Sequence, residues 1–191
     1  RPAMTCDVKN WAKRAVPTAD IEPSETGPME SFIEDLATNV VLLRRRLRTE
    51  QLQVETFIIG KESRTDVRIA YLRNIVRNEP VEEVRRRLQT LEVDAPVSTF
   101  LVQELTTDTP WSPFPNALIT GRPDRTAAML LEGHVAILID GTPMVMIVPG
   151  TLVAMRQAAD DYHSNFYAAS FTRLIRWTAT FIGLLASPIY V

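Results

Sequence analysis

The sequence is poor in the residues from which disulfides, metal sites and common catalytic motifs are built. Its 191 residues include one cysteine, Cys6, and two histidines, His134 and His163. A lone cysteine cannot form an internal disulfide, which fits a reducing compartment, and it offers a metal ion no second thiolate. No nucleophile motif such as Gly-x-Ser-x-Gly accompanies the histidines, so we interpret both as satisfied or surface side chains. The sequence therefore predicts no enzymatic activity, no cofactor and no metal site.

An excess of charge of either sign is also absent. Lysine and arginine together number 21 and aspartate and glutamate 23, which gives a net charge of −2. Bulk charge therefore gives no support to nucleic-acid binding. Basic residues do cluster locally in two triplets, Arg44–Arg46 and Arg85–Arg87. Three consecutive helical residues spread over about 200°, so we interpret both triplets as solvated or interface-lining helix ends, with anionic lipid contact as the alternative.

Long apolar runs are missing except at the C-terminus. Trp177–Val191 contains 15 residues without a charge, whereas a membrane-spanning helix needs roughly 20. We therefore expect residues 159–191 to form a helix whose end begins a longer membrane segment. Arg173 and Arg176 lie just before it and would place the preceding domain on the cytoplasmic side. At the other end, residues 1–25 are irregular and proline-containing, which indicates a linker or the remnant of a preceding subdomain.

The best-defined pattern that is present is a helix, a strand, a turn and a second strand in residues 123–149. The helix begins at Pro123 and closes at Gly133. Asp140-Gly141 separates the apolar strands 134–139 and 143–148, which is typical of a tight hairpin. Both strands are nearly continuous in apolar residues, which predicts helices on both faces of the sheet. A phosphate-binding loop at residues 140–143 is the disfavoured alternative, since this loop has one glycine and leads into a strand.

Other periodic segments surround this unit. Apolar spacings of three and four predict helices, and alternating apolar residues predict strands. The predicted helices cover residues 29–48, 80–91, 98–105, 151–158 and 160–191, and the other predicted strands cover residues 52–59, 66–72 and 117–120. This interleaving predicts an α/β or α+β domain over residues 26–158, with a central mixed β-sheet of about four to five strands flanked by helices.

Two loops are the remaining candidates for contacts. We interpret the polar connection Lys61–Asp66 as a solvated hairpin loop, with a site for a small polar ligand as the alternative. The loop Trp111–Pro115 combines aromatic and proline residues, and a protein contact is weighed there against local packing. Neither loop identifies a ligand-binding residue.

Several segments, in order along the chain, resemble the GerA family of spore germination proteins. This family comprises the A subunits of germinant receptors and a related stage V sporulation protein AF. The segments that carry the resemblance are Gly-Pro-Met-Glu-Ser-Phe (27–32), Asp-Leu-x-Thr-Asn (35–39), Leu-x-Arg-Arg-Arg-Leu-Arg (42–48), Ile-Gly-Lys-x-Ser-x-Thr-Asp-Val (59–67), Val-Glu-Glu-Val-Arg-Arg-Arg-Leu (81–88), Ser-Pro-Phe-Pro (112–115), Arg-Pro-Asp (122–124) and Leu-Leu-Glu-Gly-x-Val-Ala-Ile-Leu-Ile-Asp-Gly-Thr-Pro (130–143). The resemblance continues in Asp-Tyr (161–162) and Arg-Leu-Ile-Arg (173–176).

The resemblance implies a non-enzymatic receptor domain. By this likeness, residues 26–158 are the second subdomain of a soluble region that precedes membrane helices in the inner spore membrane and lies on the cytoplasmic side, the spore core. The A subunit would act with B and C subunits, sense small nutrients such as amino acids or sugars, and trigger germination. A homo-oligomer is a further expectation. The alternative is a purely structural oligomerisation module of a channel-like membrane protein with no ligand of its own. The likeness assigns no germinant-contacting residue, so the ligand-binding residues stay unknown.

Overall fold

The computed structural model describes residues 30–91, 116–150 and 166–190. Four helices and five strands lie in these ranges. In chain order they are α1 (Leu36–Arg46), β1 (Leu52–Ile59), β2 (Thr65–Leu72), α2 (Asn78–Thr90), β3 (Leu118–Thr120), α3 (Pro123–Leu131), β4 (Val135–Ile139), β5 (Val145–Val148) and α4 (Phe166–Tyr190). The predicted helices at 98–105 and 151–158, and the loop Trp111–Pro115, lie outside the described residues.

The five strands form one sheet in the order β1-β2-β4-β5-β3. The predicted α/β class, with a central sheet of four to five strands flanked by helices, is confirmed. The expected mixture of strand directions is wrong, because each described strand pair is antiparallel. Strands β4 and β5 are nearly continuous in apolar residues because helices cover both faces of the sheet. Such cover is usual for parallel strands, and here antiparallel strands receive it.

Two apolar clusters lie on opposite faces of this sheet. On one face α1 and α3 cover residues such as Ala70, Leu138 and Ile147. On the other face α2 packs through Val81, Val84 and Leu88 against a second cluster of strand side chains. Successive side chains of a strand point to opposite faces, so β4, with all five residues buried, contributes to both clusters. The predicted cover on both faces is confirmed.

Helix α1 begins later than its apolar spacing predicts. Periodicity favoured a start at Met29, but the first helical residue is Leu36 and the N-cap is Asp35. Phe32 and Ile33 are buried, with 1% and 2% of their surface exposed, yet they precede the helix. The Asp35 side chain accepts a hydrogen bond from the Thr38 backbone N–H at 2.9 Å, which fixes the helix start.

The predicted closure of α3 and the β4–β5 hairpin are both present, but the hairpin turn is longer than expected. Gly133 has φ +91°, and hydrogen bonds from the N–H groups of Gly133 and His134 to the carbonyls of Leu130 and Met129 form a Schellman motif. The prediction of a two-residue turn at Asp140-Gly141 is wrong, because β5 begins at Val145 rather than at Pro143.

The C-terminal helix α4 is present over Phe166–Tyr190. Within the described ranges, the length and apolarity of the helices fall short of what crossing a membrane requires. The predicted domain boundaries at residues 25 and 158 lie on residues that the structure does not describe, so they stay predictions.

Candidate functional site

Segments that are far apart in the sequence converge on the start of α1. We call this region, formed by residues 31–39, 120–122 and 140–141, the α1 junction. Asp140 Oδ1 accepts the Leu36 backbone N–H at 3.3 Å, and the Gly141 N–H donates to the carbonyl of Glu34 at 2.9 Å. Together with the N-cap Asp35, the Asp140 carboxylate places a second negative charge beside the positive end of the helix dipole.

The core of the α1 junction is held by Asn39, whose surface is 1% exposed. Its Oδ1 accepts the Ile33 N–H at 2.9 Å, and its Nδ2 donates to the Ile33 carbonyl at 2.6 Å. The side chain therefore satisfies both backbone groups of a buried residue that belongs to neither a helix nor a strand.

The β3–α3 connection contributes the other half of the α1 junction. The Gly121 carbonyl accepts the Phe32 N–H at 2.8 Å and the Ser31 hydroxyl at 3.0 Å. The adjacent Arg122 is fully buried, and its guanidinium donates to both carboxylate oxygens of Asp124, at 3.1 and 2.8 Å. Burial raises the pKa of Asp124, but the hydrogen bonds and charge of Arg122 outweigh it and hold that pKa below its usual value.

The α1 junction is therefore a structural assembly. Among the residues that the structure describes here, no buried side-chain nitrogen or oxygen atom lacks a hydrogen-bond partner. A phosphate beside residues 140–143 would meet the carboxylate of Asp140, so the loop lacks the electropositive character of a phosphate cradle. The interpretation of residues 140–143 as a hairpin turn is confirmed.

A cavity of about 290 Å³ lies on the opposite face of the sheet, between β1, β2 and the start of α2. We call it the β2–α2 cavity. Val76 and Val81 supply apolar wall, and the polar groups that line it belong to Gln53, Tyr71, Arg73, Asn78, Glu82 and Arg85. Its volume lies near the lower end of the range for small-molecule sites.

A charged network forms one side of the β2–α2 cavity. Glu55 accepts the Tyr71 hydroxyl at 2.6 Å and the Arg85 Nε at 2.8 Å, with a second ion-pair contact from Arg85 Nη2. The Arg85 guanidinium carbon also lies 6.0 Å from the centre of the Tyr71 ring, within the range of a cation–π contact. The Arg85 side chain is thus oriented by Glu55, by the Tyr71 ring and by an ion pair with Glu82.

The network shifts the pKa values of its two acidic groups, the Glu55 carboxyl and the Tyr71 hydroxyl, away from neutral pH. Hydrogen bonds from Arg85, and to a lesser degree from Tyr71, lower the pKa of Glu55 below 4.5 despite partial burial. Burial and the bond to Glu55 raise the pKa of Tyr71 above 10. At neutral pH Glu55 is therefore ionised and Tyr71 is protonated, and neither is poised for proton transfer near pH 7.

Arg73 is the cavity cation that the network leaves available. It follows the last residue of β2 and is exposed, and its backbone N–H donates to the Gln51 carbonyl at 3.0 Å. Within the described ranges its guanidinium forms no ion pair. A guanidinium in this position presents donors that suit a carboxylate or a hydroxylated ligand.

The two arginine triplets are compensated by nearby carboxylates. Glu30 pairs with Arg45 and Arg46. In the second triplet, Arg85 pairs with Glu55 and Glu82, while Arg86 and Arg87 both pair with Glu83. Hydrogen bonds from Arg86 and Arg87 lower the pKa of Glu83 to about 2. Arg44–Arg46 forms the last turn of α1, as interpreted. Arg85–Arg87 lies before the end of α2 at Thr90, and Glu55 holds Arg85 against the sheet, so the interpretation of the second triplet as a helix end is wrong.

The remaining candidates from the sequence have structural roles or lie outside the described residues. His134 lies 3.1 Å through Nδ1 from the carbonyl of Met129; since a carbonyl only accepts, Nδ1 carries the proton and the histidine is satisfied. Residues 60–64 connect β1 and β2 as the predicted hairpin loop. His163 and Cys6 are not described. Among the described residues no cluster of three or more His, Cys, Asp or Glu side chains could hold a metal ion.

The sequence alone did not predict the β2–α2 cavity. Glu55 and Tyr71 were assigned to the correct strands, and Gln53 pairs with Tyr71 in the register, which places residues 53, 55 and 71 on one face. The missing information was the position of α2, because only packing brings Arg85 over this face. The sequence signal for this cavity was an acidic residue and an aromatic residue on the two strands of a predicted hairpin, followed by a helix with basic residues.

Comparison with known proteins identifies relatives along the whole chain. The family model described as Bacillus/Clostridium GerA spore germination protein matches residues 1–191. The chain is 36% identical over 188 residues to spore germination protein GerQA of Bacillus cereus, which is 98% of this chain and 38% of that protein. It is 35% identical over 190 residues to stage V sporulation protein AF of Bacillus subtilis strain 168, which is 99% of this chain and 38% of that protein.

A solved structure matches the described fold. It is the crystal structure of the N-terminal domain of the A subunit of the Bacillus megaterium spore germinant receptor GerK3, with 37% sequence identity and a TM-score of 0.52. The match covers 64% of this chain and 97% of that chain. The present chain spans less than two fifths of the length of the two curated relatives above.

Proposed function

The chain belongs to the GerA family of spore germination proteins, and from this premise we propose that its α/β domain contributes to nutrient sensing and receptor assembly in germination. Relatives across the whole chain are spore germination proteins. The solved relative is the N-terminal domain of the A subunit of a germinant receptor. These likenesses support a role in germination, and the finer proposal rests on a feature of the domain itself.

The observation that carries nutrient sensing is the β2–α2 cavity. Its size suits a small polar molecule such as an amino acid or a sugar, and its lining combines two valines with several hydrogen-bonding groups. Arg85 is already held by Glu55, so it shapes the wall. Arg73 would then meet the carboxylate or hydroxyl groups of the nutrient, and Asn78 and Gln53 would supply further hydrogen bonds.

Calorimetric titration of the purified chain with a panel of amino acids and sugars tests this proposal. We expect heat with at least one nutrient, and we expect Arg73→Gln to weaken the binding because it removes the available cation. Arg44→Gln is the matched control, since Arg44 is also exposed but lies on α1 on the other face of the sheet. Absence of heat across the panel, or equal weakening by both variants, would contradict nutrient sensing at this cavity.

A purely structural module of a channel-like membrane protein is the second candidate. The observation that favours it is the internal satisfaction of the Glu55–Tyr71–Arg85 network, which needs no ligand to balance its charges. In that case the titrations give no heat, and the domain acts through protein contacts alone. Assembly with B and C subunits belongs to both candidates and is tested by co-purification with those subunits.

We also propose that the domain is not an enzyme. The support is electrostatic: the pKa values of Glu55 and Tyr71 are shifted away from neutrality in opposite directions, whereas general acid–base catalysis favours values near the working pH. Incubation of the chain with any nutrient that binds, followed by mass analysis of the nutrient, tests this. Conversion of the nutrient to a product would contradict it.

The proposed location is the inner spore membrane, with this domain on the cytoplasmic side. The relatives include a protein named as a membrane protein in Bacillus subtilis, which supports association with a membrane. Flotation of the full chain with liposomes, beside a chain that ends at Ser170, tests the contribution of the C-terminal segment. We expect only the longer chain to float. If both chains stay at the bottom of the gradient, α4 does not attach the domain to the bilayer.

A further inference from the structure

We propose that Glu82 is a second ligand-binding residue of the β2–α2 cavity, and that together with Arg73 it selects a small dipolar ligand, an α-amino acid, over sugars. The inference rests on the nutrient binding proposed above and adds the chemical class of the nutrient. Arg73 binds the carboxylate of the amino acid, and Glu82 binds its ammonium group.

The first step is that one guanidinium of the cavity serves two carboxylates. Arg85 pairs through Nη2 with Glu55 and through Nη1 with Glu82. Its Nε also donates to Glu55 at 2.8 Å, and Glu55 accepts the Tyr71 hydroxyl at 2.6 Å. The Glu55 carboxylate and the Arg85 guanidinium balance each other, so the charge of the second carboxylate, Glu82, is left uncompensated.

The second step is that this uncompensated charge is accessible from the cavity. The Glu82 side chain is 67% exposed and lines the cavity. Its Oε1 accepts from Arg85, and its Oε2 has no partner among the residues that the structure describes. A carboxylate oxygen with a free lone pair accepts hydrogen bonds from an ammonium group, and such charge-assisted bonds are stronger than neutral ones.

The third step is that the cavity also presents the complementary charge and an apolar wall. Arg73 follows β2 and Glu82 lies in α2, so the two side chains reach the cavity from different elements. Val76 and Val81 supply apolar surface for the side chain of a ligand. A sugar brings no charge to Arg73 or Glu82, and a simple carboxylate brings no cation to Glu82. An α-amino acid matches all of these groups.

Calorimetric titration of the 191-residue chain with matched ligands tests the chemical class. L-Alanine, L-valine and L-leucine are compared with D-glucose and with propionate, isovalerate and isocaproate, the analogues of the three amino acids that lack the ammonium group. We expect at least one amino acid to bind at least about tenfold more tightly than its analogue and than glucose, because only the amino acid makes the charge-assisted contact with Glu82.

The titrations separate failure of this inference from failure of the proposed function. An analogue or glucose that binds as tightly as the amino acids overturns the selection of dipolar ligands, while nutrient binding at the cavity stands. Absence of heat with every ligand overturns both.

Glu82→Gln tests the role of the residue itself. We expect it to weaken binding of the amino acid at least about tenfold and to leave binding of the analogue unchanged, since the analogue has no group that meets Glu82. Arg73→Gln should weaken both ligands, because both carry a carboxylate. Glu79→Gln is the matched control, since Glu79 is exposed in the first turn of the same helix but lies outside the lining of the cavity. Equal weakening of both ligands by Glu82→Gln would mean that it disturbs the cavity through Arg85, which overturns a direct contact with the ammonium group.

Discussion

At the scale of the single residue, Asn39 contributes to stability through buried hydrogen bonds rather than through apolar packing. Its replacement by alanine leaves the buried N–H and carbonyl of Ile33 without partners. We expect the free energy of unfolding to fall by about 3 kcal/mol, since each buried unsatisfied group costs roughly 1–3 kcal/mol. Urea unfolding followed by circular dichroism measures the change.

Asn78→Ala is the matched control for Asn39→Ala. Asn78 is exposed at the first position of α2, so its loss should change the free energy of unfolding by less than about 0.5 kcal/mol. Similar effects of the two substitutions would show that the Asn39 contacts with Ile33 contribute nothing beyond an ordinary polar side chain.

Glu55 is expected to make stability depend on pH in the acidic range. Because its folded pKa lies below the usual 4.5, the unfolded state binds the proton more readily in the interval between the two values. The contribution of Glu55 is therefore complete above about pH 4.5 and is lost as pH falls through the folded pKa. Urea unfolding of the wild type and of Glu55→Gln, measured at several pH values from 7 to 3, should show a smaller loss in the variant.

Glu50→Gln serves as the control in that experiment, since Glu50 is exposed and lies just before β1. We expect it to follow the wild-type pH profile. A Glu55→Gln profile that also coincides with the wild type would mean that the contacts with Arg85 and Tyr71 do not favour the ionised form.

At the scale of the element, the start of α1 depends on two carboxylates from distant parts of the chain. We expect Asp35→Ala to cost about 1 kcal/mol, the usual value of an N-cap. Asp140→Ala should cost less, because its bond to the Leu36 N–H is longer at 3.3 Å and the side chain is exposed. Since both act on one helix end, their effects should not add. A double-mutant cycle with hydrogen exchange of the Leu36 and Thr38 amides measures this coupling.

Additive effects of Asp35→Ala and Asp140→Ala would indicate that the two carboxylates act on independent parts of the fold. Unchanged exchange of the Leu36 amide in Asp140→Ala would show that the contact across the α1 junction does not protect the helix start.

The elements also show where sequence reasoning succeeds and where it stops. The bounds of β1 were predicted correctly, and those of β2, α2 and α3 nearly so, because each has a strong local period or a clear cap. The start of α1 was placed too early, since Phe32 and Ile33 are buried without being helical, and spacing alone cannot distinguish these cases. The Asp-Gly pattern predicts a two-residue turn at Asp140, because the role of Asp140 as a partner of Leu36 depends on tertiary contacts that the local sequence does not contain. The β2–α2 cavity depends likewise on where α2 packs.

At the scale of the whole molecule, β4 joins the two apolar clusters. Ile137 belongs to the cluster under α2 and Leu138 to the cluster under α1 and α3, and both are almost fully buried. We expect Ile137→Ala and Leu138→Ala each to lower the free energy of unfolding by about 2–5 kcal/mol. Because one strand carries both side chains, each variant should still unfold in a single transition. Fluorescence and circular dichroism monitored together in urea measure this.

Val41→Ala is the control for these two core substitutions, because Val41 is exposed on α1 and little apolar area is lost. Separate transitions for the two faces, in either core variant, would mean that the sheet does not couple the layers.

The contact between Asp140 and Leu36 joins residues 104 positions apart, and this has a consequence for the order of events on the ribosome. The segment of α1 is synthesised early and leaves the exit tunnel well before residue 140 is added. Synthesis proceeds at roughly 5–20 residues per second, so the helix segment waits for several seconds with only its own cap, Asp35. Helix α1 is therefore completed by a turn that is synthesised about a hundred residues later.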